Sequence, residues 1–204
     1  MQILIYVAIA LGAYLIGSIS PALMISRYVE KTDVRKYGSG NAGATNMVRN
    51  FGWLPGLATF ALDMIKGAVA VLLGRWIGGE LGEAIAAVMA VLGHSFPIYY
   101  GFRGGKGVST SMGAMLAIAP LPSLVVYALA ILVVVLTGIV SIGSLLGFTI
   151  ELLMVLFLFP NMVGLPIKIA LAILTILTFV GHRGNIKRLL NGTENKIIGK
   201  KKEK

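Results

Sequence analysis

The chain has 204 residues, 57% of them hydrophobic and only 13% charged, with a mean hydropathy of +0.88 and a formal net charge of +10. Average usage is about 25% charged, so roughly half the expected charge is missing and a soluble globular domain is excluded. Zero cysteines exclude disulfides and thiolate chemistry.

Apolar stretches near the ~20 residues that cross ~30 Å of hydrocarbon recur along the chain. Backbone polar groups in lipid must be satisfied within each segment, so each stretch reads as helix. The first is expected at about 3–26. It lacks a basic leader and is long enough to remain as a span, so no separate signal peptide is expected. A glycine-rich cationic loop follows, KYGSGNAGATN (Lys36 to Asn46). The second span, about 55–77, carries Asp63 and Lys66, an i,i+3 pair expected to neutralise each other or anchor a loop. The third, about 82–98, ends near His94, read as a core or hinge residue. A second glycine-rich loop, YGFRGGKGVST (Tyr100 to Thr110), leads into a short fourth stretch at about 108–120, expected to sit against protein. Spans five to seven are expected at about 122–140, 145–160 and 165–182. Glu151 in the sixth requires an inward polar partner. Ser141 and Ser144 either donate to a ligand or back-bond in their helix. The chain leaves the last span through GHRGNIKRL (Gly181 to Leu189), which supplies His182, Arg183, Asn185 and Arg188.

The expected architecture is therefore all-α: one polytopic integral membrane domain over 1–204, with about seven transmembrane helices. Its motif loops fall at about 27–54, 99–107 and 182–204. With an external N-terminus, fifteen of the eighteen Lys and Arg collect on one side, which the positive-inside rule makes the cytoplasm. That orientation is N-out and C-in, with both glycine loops facing the cytoplasm. Nucleic acid is not the expected partner of the positive charge; basic segments on anionic lipid account for it.

Gly38-x-Gly40-x-x-Gly43 matches the dinucleotide fingerprint in form, and Asp63 even follows twenty positions after Gly43. No apolar strand precedes it and Asp63 lies in a span, so that reading fails. The second loop fails as a P-loop, with Tyr100 where the first glycine belongs and Gly107 where Ser or Thr should hold magnesium. What both loops retain is glycine freedom to turn N–H groups toward an anion, beside fixed cations and a helix N-terminus. Phosphate handled at a bilayer surface is the chemistry this points to.

Three stretches together, SGNAGATN (39–46), GHSFPIYYGFRGGKGVST (93–110) and HRGNIKRLLNGTE (182–194), resemble the bacterial PlsY family of acyl-phosphate-dependent glycerol-3-phosphate acyltransferases. The resemblance spans nearly the whole chain; Ser109 stands where a small apolar residue is expected. It implies transfer of a fatty acyl group from acyl phosphate to the 1-position of sn-glycerol 3-phosphate, giving lysophosphatidic acid and inorganic phosphate in the bacterial cell inner membrane. It implies no cofactor and no metal, and functional coupling to an enzyme that makes acyl phosphate.

Residue by residue, the resemblance implies that Gly104, Gly105, Lys106, Gly107 and Thr110 hold the acyl-phosphate phosphate. Ser39, Asn41, Arg49, Lys106, His182 and Asn185 position glycerol 3-phosphate, with Ser144 as a further contact and Glu194 structural. Lys106, Ser144, His182 and Asn185 form the catalytic group. The His-x-x-x-x-Asp dyad of the soluble-type glycerolipid acyltransferases is absent, with Tyr99 five after His94 and Lys187 five after His182. Either His182 or a substrate phosphate must take the hydroxyl proton. A transporter of organic phosphate is the competing class, but its site belongs near the midplane between repeats, and the chain has no repeated halves.

Overall fold

The computed structural model describes residues 1–197, so Lys200, Lys201, Lys202 and Lys204 and the end of the third motif loop lie outside the described residues. The described chain is helical and has no strand. The expected first span is broken into α1 (Gln2–Ser18) and α2 (Pro21–Tyr28). Pro21 lacks an N–H and its ring disfavours the helical region for the preceding residue. Ser20 accordingly adopts φ −114° and ψ 95°, and Pro21 opens the next helix.

The short α3 (Ala44–Phe51) carries the end of the first motif, and α4 (Trp53–Ser95) follows after Gly52. Gly78 and Gly79 inside α4 leave helical geometry, and the chain reverses there into two arms, 53–77 and 80–95. The arms run antiparallel: a Cβ on Gly74 would strike the Gly82 carbonyl oxygen, and Asp63 on one arm meets His94 on the other. Next come α5 (Val108–Ile118), α6 (Pro120–Thr137) and α7 (Val140–Leu153), the last prolonged by a π-helical turn, Met154–Leu158. The chain ends in α8 (Leu165–Gly181) and α9 (Arg183–Leu190), bent by 59° from each other at His182.

Seven apolar helical stretches thus occupy the expected places. By length and composition four helical units among the described residues can cross a membrane, or five if α8 and α9 count as one bent span. The long unit containing both arms of α4 counts once in that number. With eleven residues α5 is only about 16 Å long, half a bilayer core, and its inner face is buried against α4.

Packing is typical of a membrane bundle. Large apolar side chains face outward, Trp76 83% and Leu54 80% exposed, while Ala86, Ala87 and Ala90 are fully buried. Lipid tails are as apolar as leucine, so small residues that let backbones approach must hold the helices together. A Cβ on Gly17 would overlap the Ala90 carbonyl, one on Gly93 the Tyr14 carbonyl, and one on Gly67 the Thr110 carbonyl. Glu151 has the inward partner expected of it, accepting from Ser123 Oγ at 2.6 Å. Asp63 and Lys66 pair at 2.7 Å, and Lys66 Nζ also donates to the Ile19 carbonyl freed by the α1–α2 break, at 2.6 Å. Both expectations for that pair are met.

Candidate active site

The two loops and the C-terminal motif meet at one end of the bundle. The N-terminal part of α1 lies at the other end, where Tyr6 and Ile9 sit against Gly78. Arg35 ties the loops together, donating to the Tyr100 carbonyl at 2.8 Å and the Arg103 carbonyl at 3.1 Å. Its hydrogen bonds to Asp33 hold that carboxylate well below its usual range. Asn46 organises the first loop from within. Its amide nitrogen donates to the carbonyls of Val34, Tyr37 and Asn41, and its oxygen accepts from the Ser39 amide at 3.1 Å. Gly38, at φ +54°, leaves room for that amide, since a Cβ there would crowd the side chains of Asn46 and Asn50.

A cavity of about 670 Å³ opens between these loops and continues down between α4, α5, α6 and α7. Its upper wall brings together Ser39, Asn41, Arg49, Lys106, Gly107, Ser144, His182, Asn185 and Glu194. Its lower wall is mostly apolar, with Phe60, Met112, Val126, Ile131, Val134 and Phe148 among the lining side chains and Tyr127 and Glu151 beside them. Along α6 from Val126 to Gly138 the trough runs about 18 Å.

The polar wall is one connected network. Lys106 Nζ donates to the Asn185 side-chain oxygen, and the Asn185 amide nitrogen donates to Glu194 Oε1 at 2.5 Å. Lysine can only donate and an ionised carboxylate only accept, so the orientation of the Asn185 amide is fixed. Glu194 also accepts from Arg188 Nε at 2.8 Å and Ser141 Oγ at 3.1 Å, which fastens the C-terminal segment to α7. Burial raises the Glu194 carboxyl, but the hydrogen bonds from Asn185 and Arg188 outweigh it and leave the pKa lowered. Arg49 donates to the carbonyls of Asn195 (2.7 Å) and Lys196 (3.2 Å). Burial lowers its pKa, with Glu194 opposing.

Lys106 is pushed down to about 8 by burial, with Arg188 and Arg49 adding to the effect and Glu194 opposing it. His182 is buried where α8 turns into α9, and its Nδ1 lies 2.8 Å from the Thr178 carbonyl. A carbonyl only accepts, so Nδ1 carries the proton and Nε2 keeps its lone pair. Burial first, and the Lys106 ammonium second, push the imidazole down to about 4, despite the opposing Thr178 bond and Glu194 charge. At neutral pH it is an uncharged acceptor and a weak base. Ser144 lines the cavity but back-bonds, its one hydroxyl proton going to the Val140 carbonyl at 3.0 Å, which is the second of the two readings.

Three expected residues sit elsewhere. Gly104 and Gly105 are absent from the cavity wall, because their amides donate to the carbonyls of Ser95 (3.1 Å) and His94 (3.2 Å). They pack the loop onto His94 and have no N–H left for a phosphate. Thr110 is fully buried against Gly67, its hydroxyl unpartnered among the described residues. The first intrahelical bond of α5 runs from the Ser111 amide to the Gly107 carbonyl, so the amides from Val108 to Thr110 have no partner within their helix. The loop amides left without a helical partner thus begin at the N-terminus of α5. Asn46 organises the loop more than its sequence position suggested, and His94, buried in the last turn of α4 as a core residue, also lines the cavity. The only signal for either was a polar side chain beside a glycine loop.

Comparison with known proteins bears on the fold and the family. The family model for Glycerol-3-phosphate acyltransferase matches residues 7–192. The glycerol-3-phosphate acyltransferase of Thermoanaerobacter pseudethanolicus is 44% identical over 95% of this chain and 96% of its own length. That of Clostridioides difficile is 44% identical over the full length of both. The crystal structure of PlsY, an integral membrane glycerol 3-phosphate acyltransferase, in its glycerol 3-phosphate form superposes with a TM-score of 0.87 at 32% identity, covering 95% of this chain and 96% of that one. Its lysophosphatidic acid form gives a TM-score of 0.84 at 31% identity over 94% of each chain. With a family match over nearly its whole length, the chain belongs to the glycerol-3-phosphate acyltransferase family.

Proposed function

We propose that this protein transfers a fatty acyl group from acyl phosphate to the 1-hydroxyl of sn-glycerol 3-phosphate, releasing lysophosphatidic acid and inorganic phosphate. The observation that carries the reading is a single cavity with a cationic, hydrogen-bonding mouth and a long apolar trough. Such a cavity suits a polar phosphate acceptor above and an acyl chain below. PlsY has been captured in glycerol 3-phosphate and lysophosphatidic acid forms, the acceptor and the product of this reaction.

In this reading the phosphoryl group of the donor rests on the amides at the start of α5, where the helix dipole and the Lys106 ammonium both favour an anion. Arg49, Ser39 and Asn41 hold the acceptor's phosphate, and Asn185 and His182 aim its hydroxyl. The hydroxyl oxygen attacks the carbonyl carbon, the bond from that carbon to the phosphate oxygen breaks, and the hydroxyl proton leaves with phosphate. No acyl-enzyme is needed, since an acyl phosphate is already an activated mixed anhydride. A substrate phosphate takes the proton: a base works best with a pKa near the operating pH, and His182 lies well below it. His182 Nε2 accepts a hydrogen bond from the neighbouring 2-hydroxyl, which fixes the direction of the glycerol and leaves the single proton of the 1-hydroxyl free to reach the phosphate. Positioning of this kind supplies on the order of 7–11 kcal/mol, and oxyanion stabilisation ~3–4 kcal/mol.

The whole chain acts as one domain with the motif end toward the cytoplasm of a bacterial inner membrane, where the phosphorylated acceptor and an acyl-phosphate-producing enzyme meet it. Purified protein is expected to form lysophosphatidic acid from palmitoyl phosphate and glycerol 3-phosphate, and to do so in the presence of a metal chelator. Activity seen only with acyl-CoA or acyl-carrier protein, or only with added magnesium, refutes the donor and cofactor assignment.

A further inference from the structure

One cluster of titratable side chains takes no part in the reaction as described. Asp63 and Lys66 on the first arm of α4 meet His94 at the end of the second, all three nearly inaccessible to solvent. Lys66 Nζ lies 2.6 Å from the Ile19 carbonyl oxygen, 2.7 Å from Asp63 Oδ1 and 3.0 Å from His94 Nδ1. An ammonium has three protons and no acceptor, and three partners surround this one. His94 Nδ1 is also 3.2 Å from Asp63 Oδ1, a distance that alone would suit a proton on Nδ1. A proton there would face the ammonium donor to donor across 3.0 Å. The arrangement that serves all three groups leaves Nδ1 as an acceptor and puts the ring proton on Nε2.

The side-chain hydrogen bonds of His94 among the described residues both run through Nδ1 and leave Nε2 unused. It lies at the glycine loop, where a Cβ on Gly105 would collide with it. His94 and Asp63 both line the cavity beside Lys106 and Gly107. The cavity therefore holds two neutral histidines in opposite tautomers: His182 with a lone pair on Nε2, and His94 with a proton there.

We propose that His94 is a further substrate-binding residue, whose Nε2–H donates to a phosphoryl oxygen of the acyl donor, and that Asp63 and Lys66 are positioning residues that fix its tautomer. The inference rests on the proposed function. It explains why Gly104 and Gly105 are spent on packing against His94 instead of on the phosphate: they bring the ring up to the anion site. It also gives the buried ion pair a purpose beyond anchoring the α1–α2 break.

The chain contains only two histidines, so ring-15N labelling gives two spin systems, assigned through His182→Gln. In the wild-type protein His94 is expected as the Nε2–H tautomer and His182 as the Nδ1–H tautomer. A non-hydrolysable palmitoyl phosphonate, at concentrations that inhibit turnover, is expected to shift the His94 Nε2 signals. A proton on His94 Nδ1, or a His94 ring unmoved by the bound phosphonate, overturns the proposal without any variant having to fold. In kinetics, His94→Phe is expected to raise the KM for palmitoyl phosphate about tenfold to a hundredfold, the effect of losing a hydrogen bond to a charged group, with little change in the KM for glycerol 3-phosphate. His94→Gln, whose amide N–H reaches the Nε2 position, should recover most of that loss. Equal rises in both KM values, or no difference between the Phe and Gln variants, reduce His94 to a structural role. A wild-type protein inactive with palmitoyl phosphate defeats the proposed function instead, and the tautomer measurement stands apart from that result.

Discussion

The identity of the proton acceptor is open to a sharp test because the structure separates the two candidates on the pH axis. His182 is held at about 4 by burial and by Lys106, whereas a phosphate monoester has its second ionisation near pH ~6. If the substrate phosphate is the base, kcat falls on the acid side with a midpoint near ~6, and only about a tenth of the plateau remains at pH ~5. If neutral His182 is the base, activity stays full until the imidazole protonates, and about nine-tenths remains at that same pH. His182→Gln sharpens the contrast. Glutamine offers an amide oxygen as acceptor but cannot hold a transferred proton. Losing only a well-oriented neutral hydrogen bond costs ~0.5–1.5 kcal/mol, a drop of about tenfold at most. Losing a general base costs ~10²–10⁴-fold. The assay is the pH dependence of phosphate release at saturating substrates, for wild type and variant, with glycerol 3-phosphate binding measured separately. A folded variant that binds the acceptor normally yet loses more than about a hundredfold in kcat, beside a wild-type limb near ~4, would falsify the substrate-assisted route.

Arg49→Ala should raise the KM for glycerol 3-phosphate about tenfold or more, from a charge-assisted contact worth ~1.5–3 kcal/mol, and Arg49→Lys should rescue it poorly because the two-carbonyl clamp on Asn195 and Lys196 needs the guanidinium fork. Steady-state kinetics that show an equal effect on the acyl donor contradict this. Gly107→Ala places a side chain at φ +82° and against Val91, at a cost of ~1–2 kcal/mol in backbone strain alone, and should weaken acyl-phosphate use more than acceptor use. Glu194→Gln should destabilise the fold by ~1–3 kcal/mol in thermal unfolding near neutral pH, since one of three donors then meets an amide. The Glu194 pKa is lowered on folding, so its contribution is present above the unfolded carboxyl value and lost as pH falls through the lower folded one. The variant should therefore lack that acid-side loss.

The helical stretches were legible because hydrocarbon thickness sets their length, and the mouth of the site because glycine, charge and amide residues cluster in three short runs. Asp63 and Lys66 were legible as a pair because they stand one helical turn apart. The break at Ile19 and Ser20 had its signal in Pro21, hidden within an otherwise continuous apolar run. The roles of Gly104 and Gly105 were not legible, since the direction of an amide depends on which carbonyl the fold brings to it, here those of Ser95 and His94. The same holds for His94, whose partners lie 28 and 31 residues away across the Gly78–Gly79 reversal. Sequence spacing alone carries no record of that meeting.

The glycine crossings divide the molecule into two kinds of position with different tolerance to change. Where backbones touch, at Gly17, Gly67 and Gly93, a single added methyl group has nowhere to go, so volume is the selected quantity. On the outer surface, at Leu54, Trp76 or Leu136, one apolar side chain exchanges for another against fluid lipid at little cost, and only a charge is refused. A saturating substitution library should therefore map this protein as a narrow, intolerant spine of small residues inside a permissive oily coat. A soluble enzyme shows the reverse, with its large buried side chains as the sensitive ones.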